Sequence, residues 1–390
     1  MSFNSEWPVS ELGKEAINAS RPFSFKTHPQ VVFVNTGDVL NGRFLHSTLS
    51  SGDGLPGQAK KALRQSDILL TEIRPENGRF AYVDFDVDKY VVSTKFMVIQ
   101  TLGRVLPRFL YHVLTNKYAL NEFQRVAESR SGTFPQITFD SISHFPVPVP
   151  PEADQIELVS FFDNLKNRID LLQETNTTLE AIAQTLFKSW FVDFDPVHAK
   201  MEGAVPDGMD EATAALFPDG FEASEFGLVP RGWSRVPVYD LATYINGAAY
   251  KAFSPNLERR GLPIIKIAEL KAGVSSQTAY SDVVMPEKYR INTADILFSW
   301  SGNPDTSIDT FVWTHGQSWL NQHIFRVLPQ EEHERSFLLR TLKHLRPVFA
   351  ELARNKQTTG LGHVTVADLK RLLVLKPTSL YISLGIGSVA

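Results

Sequence analysis

The side chains able to do chemistry in this chain are numerous but scattered. Ten histidines and 43 Asp/Glu are available as bases or ligands. No two histidines take the helical spacing of a metal pair, and no carboxylate–lysine constellation of the kind that cuts phosphodiesters is present. Cysteine is absent altogether, which excludes a disulfide framework, an iron–sulfur cluster, a Cys-ligated zinc and a thiol nucleophile, and suits a reducing cytoplasm. Asp193 and Asp195, two apart on what reads as a helix end, read as capping or solvated carboxylates rather than a metal pair. Gly360/Gly362 and Gly385/Gly387 lack the strand–turn–helix context of a phosphate-cradling loop. Asn303-Pro304-Asp305 begins like the Asn-Pro-Pro-aromatic tetrad of amino-methyltransferases, but the aromatic that stacks on a flipped base is missing and no glycine-rich cofactor loop precedes it. His323, beside Asn321 and Gln322, could read a base edge or equally be a surface or capping histidine. Nothing here points to an enzyme.

The elements that position these residues are legible from the chain as a whole. With 390 residues, 43% apolar and 21% charged, the expectation is two folded domains and a connector. No basic-then-apolar leader opens the chain and no run of about 18 apolar residues occurs, so neither a signal peptide nor a membrane span is expected. The net charge of −4 hides an asymmetry. Residues 1–150 carry 16 Lys/Arg against 14 Asp/Glu, residues 151–223 carry 4 against 15, and residues 224–390 carry 19 against 14. Two mildly basic blocks thus flank a strongly acidic one; a phosphate-binding surface could sit on either outer block and hardly on the middle one, although charges of this size are also those of ordinary domains.

Those outer blocks are copies of each other. Asp67-Ile68-Leu69-Leu70 recurs as Asp295-Ile296-Leu297-Phe298, an offset of 228, and Ser131-Gly132 recurs as Thr359-Gly360 at the same offset. Residues 32–39 parallel 263–270, and the apolar ends at 145–150 and 372–377 correspond. Each copy reads as short β-branched strands, one helix (107–129 in the first, 335–355 in the second), a glycine-containing loop and a terminal strand.

Between them, Pro150-Pro151 ends a strand, and Glu152 and Asp154 suit the first turn of a helix. From there Leu158, Phe162, Leu165, Ile169, Leu172, Asn176, Leu179, Ala183, Leu186 and Trp190 recur in steps of four and three. That is a heptad seam about five heptads long, with Asn176 at a position where a lone asparagine fixes register and partner number. A helix over 152–190 spans about 58 Å, and its stripe, with Phe191 at its end, must be buried against something.

Repeat, heptad helix, repeat is a layout that resembles the DNA-specificity subunits of type I restriction–modification systems. The resemblance is carried by Pro148-Val-Pro-Pro-Glu152 with Gln155-Ile156, by Leu186-Phe-Lys-Ser-Trp-Phe-Val-Asp-Phe-Asp-Pro196, by Gly208-Met-Asp-Glu-Ala-Thr-Ala-Ala-Leu-Phe-Pro218 and by Gly227-Leu-Val-Pro-Arg-Gly-Trp233. It implies an α+β fold: two tandem α/β target-recognition domains (1–150 and 233–377) joined by a long coiled-coil helix (151–192), with an acidic linker at 193–232. It also implies a non-catalytic role. Each domain would read half of a split duplex target, and the helix would bind two methyltransferase subunits. Restriction subunits would join, and S-adenosylmethionine, ATP and Mg would sit on partner chains, in the cytoplasm. The family places a second long helix after the second domain, whereas residues 378–390 show two glycines and no heptad. That helix is expected to be missing, as after a frameshift or truncation. The seam would then pair with a second copy in a homodimer, or with methyltransferase helices. The alternative reading is a truncated interaction scaffold that neither assembles nor binds DNA.

Candidate DNA contacts follow by residue type and place, since Lys, Arg and hydroxyls suit phosphate while Arg, Asn, Gln and aromatics suit base edges. In the first copy these are Arg74, Asn77, Arg79, Lys95, Arg130, Thr133 and Gln136. In the second they are Trp300, Asn303, Asn321, Gln322, His323, Lys356, Gln357, Thr358 and His363. Taken singly, each is as much a solvated surface residue as a contact.

Overall fold

The computed structural model describes residues 7–130, 135–225, 227–357 and 360–377. The chain divides into two compact units, Met1–Gln173 and Glu174–Ala390, and each contains two four-stranded sheets of one design. In the first unit one sheet runs Ala16–Asn18, Phe96–Thr101, Ile68–Thr71, Phe80–Tyr82, antiparallel throughout. The other runs Ser50–Ser51, Gln30–Val34, Tyr90–Ser93, Ala59–Ala62, with its two middle strands parallel. The second unit repeats both orders. One sheet is Ala242–Asn246, Ile324–Pro329, Ile296–Ser299, Asp309–Val312; the other is Tyr280–Ser281, Leu262–Ile265, Ser318–Leu320, Arg290–Ile291, again with a parallel middle pair. Each unit also closes on itself: Val9–Glu11 pairs antiparallel with Pro146–Pro148, and Ser234–Pro237 with Leu373–Lys376.

The pleat explains why the central strands are apolar on both faces. Successive side chains of a strand point to opposite sides, so a strand covered on both reads as an unbroken apolar run. Ile68, Leu70, Met97 and Ile99 join one core with the helices, while Leu69, Phe96 and Val98 join a second with Val32, Val34 and Val92 of the other sheet. In the second unit Ile296, Phe298 and Val327 face the helices, and Leu297 and Ile324 face Ile265 and Leu320.

The single helix expected over 107–129 is two, α1 (Pro107–Thr115) and α2 (Lys117–Arg130). Asn116 makes the break. Its amide donates to the Val113 carbonyl (2.8 Å) and its carbonyl accepts from the Ala119 N–H (2.9 Å), so one side chain closes one helix and opens the next.

Helix α3 (Glu152–Phe191) is a single helix of 40 residues. At its start the buried Gln155 accepts from the Leu106 N–H (2.8 Å) and donates to the Pro150 carbonyl (2.9 Å). Within the first unit, Asp163 of α3 takes a two-pronged hydrogen bond from the Arg108 Nε and a contact from His112 Nε2 (2.9 Å) on α1. Among the described residues nothing fully covers the middle of the seam: Phe162, Leu165, Ile169, Leu172 and Leu179 are between 42% and 55% exposed, and Asn176 is exposed among them. Phe191 departs from the expected partner stripe. It is buried in the second unit's own core with Phe187, against Phe217, Trp233 and Phe337, because the apolar face of the last helical turn meets that domain. Trp190 also packs on this core.

Residues 193–232, expected as a linker, are folded. They form α4 (Asp195–Met201), a short helix Glu211–Ala215 and a hairpin of Phe221–Ser224 with Gly227–Pro230. Val197 and Phe217 are buried in the second unit's core, and Phe194 and Phe221 pack against it. The aromatics outweigh the acidic composition. Asp193 pairs with Lys188, and Asp195 accepts from the Ser189 hydroxyl (2.7 Å). The expected single helix over 335–355 is likewise two, α5 (Arg335–His344) and α6 (Arg346–Asn355), divided at Leu345 just before Pro347, which suits a first turn because it has no N–H to satisfy. The tail at 378–390 lies outside the described residues.

Glu180 of α3 receives Arg340 (2.7 Å) and Lys343 (2.8 Å) of α5. Burial alone would raise its carboxyl, but the two cations outweigh burial and hold it at about 2, against 4.5 ordinarily. A depressed acid stabilises the fold above its unfolded pKa and loses that contribution as pH falls. Glu180→Gln should therefore lower stability at pH 7 by about 1 kcal/mol or less, the pair being part-exposed. The gap between variant and parent in urea unfolding should close as pH falls from about 4.5 towards 2. A gap that stays constant through that range would contradict the assignment.

Candidate nucleic-acid interface

The best-organised candidates lie where three segments meet at the edge of each helix-facing sheet. In the first unit the Glu72 N–H donates to the Lys95 carbonyl (2.9 Å) and the Ile137 N–H to the Glu72 carbonyl (2.8 Å), while Ile73 bridges Gln136. This gathers Glu72, Lys95 and Gln136, all half-buried, from the end of a central strand, a tight turn and the segment after α2. The Gln136 amide donates to the Glu72 carboxylate (3.0 Å). Arg74 stands beside them, exposed and in the left-handed region (φ 43°), its N–H donating to the Pro135 carbonyl (3.2 Å). The N–H of the exposed Asn77 turns back to the Arg74 carbonyl (3.0 Å).

The second unit builds the same junction. The Trp300 N–H donates to the His323 carbonyl (3.2 Å), the Val364 N–H donates to the Trp300 carbonyl (2.8 Å), and Ser301 pairs with His363. The rings gather: Trp300 lies 5.1 Å from His323 and 5.9 Å from His363 between centroids. The Trp300 indole donates to the Asn246 side chain (3.1 Å). Burial, then the neighbouring His363, lowers the pKa of His323. Only glycine fits at 362, where a Cβ would sit 2.3 Å from the Ala353 carbonyl oxygen.

Other candidates are committed elsewhere. Arg79 donates to the carbonyls of Gly37 (3.0 Å) and Val39 (2.9 Å), tying one loop down. Asn321 is buried against the backbone at Ala248, beside the half-buried Gln322. Asn303 shapes its own turn by accepting from the N–H groups of Asp305 and Thr306. Lys356 is paired with Asp368, and the Gln357 amide donates to the Gly360 carbonyl (2.7 Å). Thr133, Thr358 and the Arg130 side chain lie outside the described residues. Sequence reasoning passed over Glu72 and Asn246. Glu72 was discoverable, because the repeat offset of 228 carries it onto Trp300.

Among the described residues no group of three or more His, Asp or Glu is placed to hold a metal ion, and no helix is long and apolar enough to cross a membrane. The chain thus carries a duplicated α+β domain with one surface junction in two chemistries, and a long helix between the copies in sequence. The family model for the type I restriction modification DNA specificity domain matches residues 4–181 and again 230–377, and the chain belongs to that family, whose members leave catalysis to other subunits. It is 38% identical over 381 residues to the HindI specificity subunit of Haemophilus influenzae, covering 87% of this chain and 83% of that one. It is 22% identical over 317 residues to the MjaIX specificity subunit of Methanocaldococcus jannaschii, covering 80% and 67%. A solved S subunit of a type I restriction–modification system from M. genitalium shares the fold, with a TM-score of 0.50 at 12% identity over 98% of this chain and 88% of that one.

Proposed function

We propose that this chain reads a split duplex DNA sequence, one half with each unit, and docks methyltransferase subunits on the open seam of α3. The observation that carries the reading is the duplication itself: one strand order occurs twice, and each copy falls within a separate match to a DNA specificity domain. Two like domains of unlike surface in one chain suit a target with two unlike halves. Restriction subunits complete the assembly in the cytoplasm, and S-adenosylmethionine, ATP and Mg belong to the partner chains. The exposed leucines and phenylalanines of α3 support the docking role, since an uncovered apolar stripe of this length marks an interaction surface.

The test is a map of methylated bases in host DNA with and without this gene. A bipartite motif with a fixed gap should vanish on deletion. The purified assembly should bind duplex carrying that motif with an affinity that falls as salt rises, as phosphate contacts require. An unchanged methylation map would overturn the reading.

A further inference from the structure

We infer that three equivalent positions in each unit (72, 95 and 136 in the first; 300, 323 and 363 in the second) form the base-reading triplet for that unit's half of the target. The inference rests on the reading above and assigns its ligand: the edges of duplex base pairs.

The backbone argument comes first. Glu72 and Trp300 stand 228 residues apart, as do Lys95 and His323, and Gln136 and His363 stand 227 apart. The N–H of 72 reaches the carbonyl of 95, and that of 300 reaches 323. The carbonyl of 72 accepts from residue 137, and that of 300 accepts from 364. One scaffold is therefore held at both sites, and the buried strand leading into it is kept in kind, Ile68-Leu69-Leu70 against Ile296-Leu297-Phe298. The three surface side chains share nothing. A carboxylate, an ammonium and an amide stand where the second copy has an indole and two imidazoles. Packing cannot explain divergence at half-exposed positions on a retained frame, whereas two half-sites of different sequence would demand it.

The chemistry suits each task. The Lys95 amine has no hydrogen-bond or ion-pair partner among the described residues, and a lysine there can donate to guanine O6 and N7. The amide of Gln136, steadied by Glu72, has the pattern that adenine matches. In the second unit the indole N–H is already used by Asn246, which leaves an aromatic face for a thymine methyl. The two histidines supply imidazoles for purine N7. Their Nδ1 atoms are buried with no partner among the described residues. Such orphan groups are costly in a folded protein and cluster where function retains them.

The experiment uses the full chain assembled with its methyltransferase partners in the host, and reads the methylated motif. Lys95→Met should relax one base position of one half-site, by about ten- to a hundredfold in discrimination, with the other half-site intact. His363→Gln should relax a position in the other half only. If either variant prevents assembly, Lys95→Arg and His323→Gln are read in its place, because each keeps a polar side chain of similar reach. The wild-type motif retained in both units' variants, or both variants altering the same half-site, would overturn the inference. A wild-type assembly that shows no bipartite motif at all would instead overturn the proposed function.

Discussion

Phe191→Ala should destabilise the second unit by about 3–5 kcal/mol, the usual cost of truncating a buried phenylalanine. Phe191 is 7% exposed. Its ring stacks on Trp233 at 5.8 Å and on Phe187 at 5.3 Å, and meets the edge of Phe337 at 5.4 Å. The cavity would open where α3 ends and the domain core begins, so relaxation by one element alone cannot fill it. Phe161 provides the control, being the same residue type on the same helix but 57% exposed; its replacement should stay within about 0.5 kcal/mol. Urea unfolding followed by tryptophan fluorescence resolves the two, because Trp190 and Trp233 pack in this core. Equal effects at 161 and 191 would show that the helix end is not part of the domain.

The second large effect concerns assembly rather than folding. Leu172→Glu combined with Leu179→Glu places two carboxylates on the middle of the open seam, where both leucines are more than half exposed. The fold should hardly register the change, since no core contact is lost. Association with methyltransferase subunits, or with a second copy of the chain, should fall by more than about a hundredfold, because a charge desolvated in an apolar interface without a partner costs several kcal/mol. Co-purification and sedimentation measure this directly. A doubly substituted chain that still assembles at wild-type concentrations would remove the seam from the interface. Asn176 lies between these leucines, and its replacement by leucine tests whether the lone amide selects partner number.

The duplication and the long helix were legible because both rest on patterns that burial enforces. Strands covered on two faces must be apolar without interruption, and a helical stripe must recur in steps of three and four. The break at Asn116 was not legible, because the apolar spacing stays in phase across it and the decisive bonds come from one polar side chain. Neither was the folding of 193–232, where acidic composition masked the aromatic anchors Phe194, Phe217 and Phe221. At the candidate interface, residue type nominated Lys95, Gln136, Trp300, His323 and His363, all of which meet at the junctions. It also nominated Arg79 and Lys356, whose partners, the carbonyls of residues 37 and 39 and the carboxylate of Asp368, are visible only in three dimensions. Glu72 was missed because a search for donors to DNA passes over acids.

The antiparallel pairing of Val9–Glu11 with Pro146–Pro148, and of Ser234–Pro237 with Leu373–Lys376, has an evolutionary reading. Val9 faces Pro148, and Ser234 faces Lys376, so the polypeptide enters and leaves each domain at neighbouring points. A segment bounded in this way behaves as a cassette: another of the same design can be spliced in between the same two points while α3 and its seam are inherited unchanged. If each unit reads one half of the target, as proposed above, such an exchange would bring a new half-target in a single recombination event.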